Sequence, residues 1–244
     1  MSILVIPISP LERAKSRLRS VFSKEKIKQL IISMVKDLGE KVSNIDCFES
    51  VIVYCGDKAI IDLVDSFGLV GIKENHKTHK KSFDRVIEEA NQIAMEQFDA
   101  KQTVFSFLDT ILISEQNFKD ISRLSKEYQL VVCPSVQSAG ISVLGRNPPD
   151  VLATCFSDPH TPSFIGQIKK ARSAGIQKIK IYDSFRAGFD IDLERDLALA
   201  FEYLKIFNLQ YTHTFRFLEK NFAYSLKKNH NNRDLEIKTN QKED

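Results

Sequence analysis

Apolar runs of strand length alternate with stretches of helical periodicity along most of this chain. The first run, Ile3 to Ile8, is continuous, as expected of a strand that is covered on both faces. Glu25 to Val42 then has apolar residues at helical spacing, with Ser23 in position to cap the helix. Further strands are predicted at 51–54, 69–72, 104–108, 130–133, 141–144, 151–156 and 178–182, and further helices at 58–67, 83–98, 115–128, 163–174, 193–207 and 214–222. This alternation predicts a three-layer α/β/α fold around a mostly parallel sheet.

The length and composition are those of one large globular domain. Hydrophobic residues make up 43% of the 244 residues and charged residues 27%, which excludes a wholly disordered, collagenous or coiled-coil chain. The last stretch, 227–244, is polar, and we expect it to be a disordered tail behind a single domain of residues 1–226. The net charge of +3 is too small to indicate a nucleic-acid partner, and none is expected.

The sequence also favours a cytoplasmic protein without a membrane partner. No stretch approaches the roughly 18 apolar residues that a membrane-spanning helix needs. The N-terminal apolar run has no basic region before it and no small-residue cleavage site, so it is interpreted as a strand. The four cysteines form no CxxC motif and lie mostly in strand-like contexts, which indicates buried free thiols.

A basic loop follows the first predicted strand. Arg13, Lys15, Arg17 and Arg19 lie within seven residues, at the carboxyl end of the strand and before a helix. Such a loop is well placed to bind a polyphosphate, although a solvated, charged helix face remains the alternative. The chain has neither GxxxxGK[ST] nor GxGxxG, which excludes P-loop NTPases and ordinary Rossmann dehydrogenases.

Three aspartates are candidate ligands for Mg²⁺. Asp109 follows an apolar strand, a frequent place for a metal ligand but also for a turn or cap residue. Asp190 and Asp192 lie two residues apart and share one face of an extended chain, where a divalent cation would offset their repulsion. Alternatively, Asp192 caps the helix that begins near residue 193. The HxxH motif of His76 and His79 lacks a nearby third ligand and is interpreted as a solvated loop.

Four stretches resemble one known family. They are residues 6–18, IPISPLERAKSRL; residues 146–149, RNPP; residues 181–197, IYDSFRAGFDIDLERDL; and residues 217–222, FLEKNF. These resemble the 2-phospho-lactate guanylyltransferases of coenzyme F-420 biosynthesis, small members of the nucleotide-diphospho-sugar transferase superfamily. The resemblance covers about residues 3–222 and implies the GT-A-like, Rossmann-like fold of that superfamily.

The resemblance also implies a reaction and a set of site residues. The phosphate of a small phosphorylated acid, such as 2-phospho-L-lactate, phosphoenolpyruvate or 3-phosphoglycerate, would attack the α-phosphorus of GTP and release pyrophosphate. Mg²⁺ would be the cofactor. The implied residues are Lys15, Arg17 and Asp109 for catalysis; Ser9, Arg13, Lys15, Arg17 and Asp84 for the nucleotide; Ile141, Thr161 and Ser163 for the acceptor; and Asp109, Asp190 and Asp192 for the metal.

Several of these positions differ from the family pattern. Ser9 stands where the family has Lys, Asp84 where it has Asn, Ile141 where it has Thr, and Thr161 where it has Gly. Three hypotheses therefore remain: an active guanylyltransferase for a three-carbon acid, a non-catalytic relative that binds a nucleotide or a partner protein, and a nucleotidyltransferase for another acceptor, such as a sugar phosphate. The amphipathic segment 214–222 is a candidate homodimer contact.

Overall fold

The computed structural model describes residues 1–12, 14–74, 81–228 and 235–241. Arg13, His76 and His79 lie outside the described residues. The strands are β1 (Ser2–Ile8), β2 (Ser50–Cys55), β3 (Val70–Lys73), β4 (Gln102–Ser106), β5 (Leu130–Pro134), β6 (Ile141–Arg146), β7 (Ile179–Ile181), β8 (Phe222–Lys228) and β9 (Leu235–Gln241). The helices are α1 (Lys24–Val42), α2 (Lys58–Asp65), α3 (Phe83–Phe98), α4 (Glu115–Glu127), α5 (Ser163–Ser173), α6 (Phe185–Gly188), α7 (Glu194–Ile206) and α8 (His213–Asn221).

Seven strands form one sheet in the order β3-β2-β1-β4-β6-β5-β7. β6 is antiparallel to both of its neighbours, β4 and β5, and every other pair in this sheet is parallel. The prediction of a mostly parallel sheet is therefore confirmed. Because β6 runs against its neighbours, it begins at the edge where β1 and β4 end.

The sheet is buried on both faces, as the continuous apolar character of β1 predicts. All seven residues of β1 are buried. Leu4 and Ile6 belong to a cluster that includes residues of α1, α4, α7 and α8, whereas Ile3 and Val5 belong to a second cluster with residues of α3 and α5. These two clusters on opposite faces of the sheet confirm the three-layer fold.

Serine caps set the start of several helices. The hydroxyl of Ser23 accepts a hydrogen bond from the backbone N–H of Lys26, which confirms the predicted cap of α1. Ser82 caps α3 in the same way, and Ser114 forms a reciprocal capping box with Asn117 at the start of α4. Among the described residues, no helix is both long enough and apolar enough to cross a membrane.

The structure corrects the predicted strand at 151–156, a segment that is irregular. Both edges of β6, the strand that precedes it, are already paired with β4 and β5, so no free strand edge adjoins the segment there. At the end of the segment, the backbone N–H groups of Phe156 and of the adjacent Ser157 donate to the carboxylate of Asp84. The remaining predicted strands and helices lie within two residues of their predicted limits.

Within the polar C-terminal stretch 227–244, for which disorder is predicted, the described residues 227–228 and 235–241 lie in strands. Leu235–Gln241 forms β9 and pairs with β8 in an antiparallel, two-stranded sheet. In the sequence, Leu235 and Ile237 alternate with polar residues, a pattern typical of a strand that the polar composition of the stretch obscures. The domain limit at residue 226 stays a prediction.

Candidate active site

A cavity of about 380 Å³ lies at the edge of the sheet where β1 and β4 end and β6 begins. Ligand sites of open α/β sheets lie at this edge, beyond the carboxyl ends of the parallel strands. The cavity brings together eight of the residues predicted for the site: Ser9, Lys15, Arg17, Asp109, Ile141, Ser163, Asp190 and Asp192. These residues come from five separate parts of the sequence, so the fold assembles the site.

Lys15 is the most closely bonded of these residues. Its backbone is in the left-handed region (φ 51°, ψ 36°), at the start of a short 3-10 helix, Ser16–Ser20. Its Nζ lies 2.6 Å from Oδ2 of Asp109 and 2.9 Å from Oδ1 of Asp192, and it also donates to the carbonyl of Ile191. An ammonium has three donors, so all of them are engaged. Although burial opposes the charged form, the two carboxylates raise the pKa of Lys15 above its usual value.

Arg17 is the more accessible cation of the site. Its side chain is 68% exposed, and Nη1 lies 3.6 Å from Oδ2 of Asp192. A guanidinium presents several donors in a plane and is always charged, which suits it to phosphate groups. The geometry therefore separates two roles: Lys15 joins protein carboxylates, while Arg17 has donors that face solvent.

The two aspartates near the end of α6 have different environments. Asp190 is half-buried and accepts a 2.6 Å hydrogen bond from the hydroxyl of Ser135. Burial raises its pKa to about 6, and the charges of Asp109 and Asp192 act in the same direction. Asp192 does not cap α7, because Leu193 is the N-cap residue, and the backbone N–H groups of Asp192 and Leu193 both donate to Asp196. The Asp192 carboxylate instead contacts Lys15 and Arg17.

The donor chemistry of Asp109, Asp190 and Asp192 suits Mg²⁺, a cation that prefers oxygen ligands. Among the described residues, a compact group with ligand atoms within 4.8 Å of one another occurs elsewhere, at Asp37, Glu40 and His213. The three site carboxylates are more widely spaced, and the ammonium of Lys15 bridges two of them. This spacing is compatible with Mg²⁺, because that ion is usually bound by one or two carboxylates together with water and substrate phosphates.

Asp84 and Thr161 do not belong to the lining of the cavity. The Asp84 carboxylate accepts hydrogen bonds from the hydroxyl of Thr154 and from the backbone N–H groups of Phe156 and Ser157. These bonds hold the pKa of Asp84 below its usual value, although burial acts in the opposite direction. Asp84 therefore contacts a neighbouring loop in this structure.

Sequence reasoning missed three phenylalanines that line the cavity, Phe83, Phe107 and Phe156, and it also missed Ser135, which donates to the candidate metal ligand Asp190. Phe83 precedes Asp84, and Phe107 lies two residues before Asp109, so proximity to predicted site residues was a usable signal for both. No comparable signal marked Ser135 or Phe156, which come from other loops.

Solved structures share this fold at low sequence identity. A protein assigned to the nucleotide-diphospho-sugar transferases in Desulfovibrio desulfuricans aligns with a TM-score of 0.71 and 15% identity, over 89% of this chain and 94% of the other. A 4-diphosphocytidyl-2C-methyl-D-erythritol synthase from Anaerococcus prevotii aligns with a TM-score of 0.57 and 11% identity, over 84% of this chain and 96% of the other. These alignments confirm the predicted three-layer α/β/α fold, which this chain shares with both proteins.

Two curated relatives of similar length are named 2-phospho-L-lactate guanylyltransferase. The 2-phospho-L-lactate guanylyltransferase of Methanocaldococcus vulcanius is 29% identical over 83% of this chain and 90% of its own length. The protein of the same name from Methanosphaera stadtmanae is 26% identical over 96% of each chain. Residues 1–239 match the family described as guanylyl transferase, CofC like, and because this match spans almost the whole chain, the protein belongs to that family.

Proposed function

We propose that this protein is a guanylyltransferase of coenzyme F-420 biosynthesis that joins GMP from GTP to a phosphorylated three-carbon acid. Candidate acceptors are 2-phospho-L-lactate, phosphoenolpyruvate and 3-phosphoglycerate. Membership of the family supports the reaction class. The observation that carries the proposal is the gathering of Lys15, Arg17 and three aspartates around one cavity at the carboxyl edge of the sheet.

The charges of the site support a role for Mg²⁺. Three carboxylates, Asp109, Asp190 and Asp192, face two cations, Lys15 and Arg17, which leaves a net charge of −1 when all five are ionised. This net negative charge would repel a triphosphate unless additional positive charge accompanied the triphosphate. When bound by the aspartates, Mg²⁺ would neutralise charge on the phosphate oxygens and orient them for displacement.

The chain's own residues position the reactants. Arg17 is the side chain suited to bind the triphosphate, because its guanidinium is exposed beside the cavity. Lys15 holds the carboxylates of Asp109 and Asp192 in position through two hydrogen bonds, and its third bond, to the carbonyl of Ile191, fixes its own ammonium. In the transfer, an oxygen of the acceptor phosphate forms a bond to the α-phosphorus of GTP. The bond between this phosphorus and the bridging oxygen to the β-phosphate breaks, and pyrophosphate leaves with the electron pair.

The acceptor side of the cavity favours an altered choice of acid. Ile141 is 7% exposed and lines the cavity at the start of β6, where the resemblance implies a threonine. An aliphatic side chain offers no hydrogen bond to a carboxylate or phosphate oxygen. Ser163, at the start of α5, supplies a hydroxyl at the same cavity. We therefore expect the three candidate acids to differ clearly in kcat/KM.

A second candidate function is a non-catalytic relative that binds nucleotide without transferring it. The observation that favours it is the engagement of all three Lys15 donors by protein oxygens, which leaves this cation no free donor for a phosphate. Under this hypothesis, GTP binds but no pyrophosphate is released.

Pyrophosphate release distinguishes the two functions. Purified protein is incubated with GTP and Mg²⁺ and with each acid in turn, and the product is identified by mass spectrometry. We expect pyrophosphate and a guanylylated acid in equal amounts, and no turnover after EDTA addition. Folded protein that binds GTP yet releases no pyrophosphate with any acid would support the second function and overturn the first.

A cytoplasmic location is part of the proposal. It is supported by the four cysteines, all of which are unpaired in the structure, as is usual in a reducing compartment. A nucleic-acid partner is not expected, and a homodimer stays a prediction.

A further inference from the structure

Three phenylalanines form an aromatic cluster in the wall of the cavity. Phe83 is the first residue of α3, Phe107 follows β4, and Phe156 belongs to the irregular loop before α5. Their ring centroids lie 5.5 Å apart for Phe83 and Phe107, 5.2 Å for Phe83 and Phe156, and 5.6 Å for Phe107 and Phe156. The interplanar angles of 53°, 72° and 88° indicate tilted and edge-to-face contacts.

The cluster is open to the cavity. Phe83 is 36% exposed, and Phe107 and Phe156 are half-buried, although all three are large apolar side chains. Exposed aromatic surface in a concave site favours a ligand with a flat, apolar face. A phosphorylated three-carbon acid has no such face, whereas a nucleotide base does.

The cavity has an aromatic part and a charged part on different faces of the sheet. Phe107 and Phe156 pack against the cluster that contains Ile3 and Val5. Residues beside the charged groups, among them Ala14, Leu108 and Ile191, belong to or pack against the opposite cluster. This division matches a nucleotide, which carries an apolar base at one end and phosphates at the other.

Asp84 connects two members of the cluster. It follows Phe83 in α3, and its carboxylate accepts a 2.6 Å hydrogen bond from Thr154, a 2.7 Å bond from the N–H of Phe156 and a 2.8 Å bond from that of Ser157. In return, the hydroxyl of Ser157 accepts a 3.3 Å bond from the backbone N–H of Asp84. These four bonds hold the loop that carries Phe156 beside the helix end that carries Phe83.

We propose that Phe83, Phe107 and Phe156 form the surface on which the base of the nucleotide stacks, and that Asp84 is a positioning residue that maintains this surface. The inference rests on the proposed function for the identity of the nucleotide. Asp84 acts on the nucleotide through Phe156 and does not contact it.

The test compares GTP with inorganic tripolyphosphate, which has the phosphates but no base. Stacking of a base on an aromatic ring contributes about 1–3 kcal/mol, or roughly 5- to 150-fold in affinity. Calorimetry in Mg²⁺ buffer should show that Phe83→Leu weakens GTP binding at least fivefold and leaves tripolyphosphate binding unchanged. Phe83→Tyr keeps the ring and should bind GTP as the wild type does.

A matched control is Phe98→Leu at the other end of α3. Phe98 is partly buried against the hydrophobic cluster on which Phe107 and Phe156 also pack, but it does not line the cavity. The same substitution there should leave the affinities for both ligands unchanged, whatever its effect on thermal stability.

A second comparison tests the positioning role of Asp84. Asp84→Ala and Phe156→Leu should both weaken GTP binding. Because both act through Phe156, the double variant should bind GTP no more weakly than the weaker-binding of the two single variants. Asp84→Asn keeps one acceptor oxygen and should recover part of the GTP affinity. A purely structural role would lower the melting temperature without changing the ratio of GTP to tripolyphosphate affinity.

The failure of this inference is distinguishable from failure of the proposed function. Equal affinity of the wild type for GTP and tripolyphosphate, or unchanged GTP binding by Phe83→Leu, overturns the stacking surface even if pyrophosphate is released. If Phe83→Leu raises only the KM for the acceptor acid, that result also overturns the stacking surface and indicates that the aromatic cluster binds the acid. Conversely, base-dependent GTP binding that Phe83→Leu removes supports the surface even when no acid is guanylylated.

Discussion

Replacement of Lys15 by methionine removes the ammonium that joins Asp109, Asp192 and the carbonyl of Ile191. The aliphatic stem of the side chain is largely retained, and methionine has the same steric cost as lysine in the left-handed region (φ 51°). The comparison therefore isolates the charged hydrogen bonds. Two carboxylates are left beside each other without their shared cation.

The expected loss lies between two limits. Exposed ion pairs contribute about 0–1 kcal/mol, whereas breaking a fully buried pair costs roughly 3–5 kcal/mol. The side chains here are 13% exposed for Lys15, 20% for Asp109 and 47% for Asp192, so water screens the second pair more than the first. We expect the free energy of unfolding of Lys15→Met to fall by about 2–3 kcal/mol.

Urea unfolding at low ionic strength, without nucleotide or added metal, measures this loss. The matched control is Lys101→Met, which removes a cation 2.7 Å from Asp99, a separation close to the 2.6 Å between Lys15 and Asp109, but at side chains that are 71% and 72% exposed. The control should lose less than about 1 kcal/mol. Equal losses in the two variants would refute the reasoning that the bonds of Lys15 hold the site together.

Three further predictions concern two aspartates of the site, the buried cation of Lys41 and the close contact at Gly188. Asp190→Asn and Asp192→Asn should each abolish Mg²⁺-dependent pyrophosphate release while the urea midpoint changes little, and full activity of either variant would remove that residue from the metal site. Burial lowers the pKa of Lys41 in the folded protein from 10.5 to about 8. Between these two pH values the unfolded chain holds the proton and the folded protein releases it, so the destabilisation caused by the buried charge decreases as the pH rises from 8 to 10.5. Lys41→Met should therefore raise the free energy of unfolding by about 1–2 kcal/mol at pH 7 and by less at pH 10, and a gain independent of pH would contradict this cause. A methyl group on Gly188 would lie 2.5 Å from the carbonyl oxygen of Pro134. Gly188→Ala should therefore lower the free energy of unfolding in urea by about 1–3 kcal/mol, and it should lower activity by displacing Asp190. Wild-type stability of this variant would contradict the close contact.

Local signals were sufficient to predict most of the fold. The continuous apolar run of β1, the helical spacing in α1 and the cap at Ser23 each depend on residues close in sequence, and the structure confirms all three. The antiparallel direction of β6 has no such signal. It depends on which edges of β4 and β5 are available in the assembled sheet, a long-range property.

The candidate site was predictable where its residues adjoin regular elements. Asp109 follows a strand and Asp190 and Asp192 share a short motif, so their type and position were enough to select them. The hydrogen bond from Ser135 to Asp190 joins residues far apart in the sequence, and nothing near Ser135 marks it. Contacts of this kind arise from tertiary packing and cannot be derived from spacing.

Asp84 was selected from the resemblance as a nucleotide-binding residue, a prediction that stays untested, and its contacts in the structure suggest the positioning role proposed above. The resemblance implied a contact with the nucleotide, yet in the structure the carboxylate accepts hydrogen bonds from residues 154, 156 and 157, about 70 positions later in the chain. An asparagine at this position would have a single acceptor oxygen, whereas the aspartate has two oxygens that share these three donors. The aspartate that stands here, where the resemblance implies asparagine, can therefore hold the loop of Phe156 more strongly than asparagine could. If that loop carries part of the base-binding surface, the nucleotide and this distant carboxylate are energetically coupled, and their coupling should disappear when Phe156 is replaced.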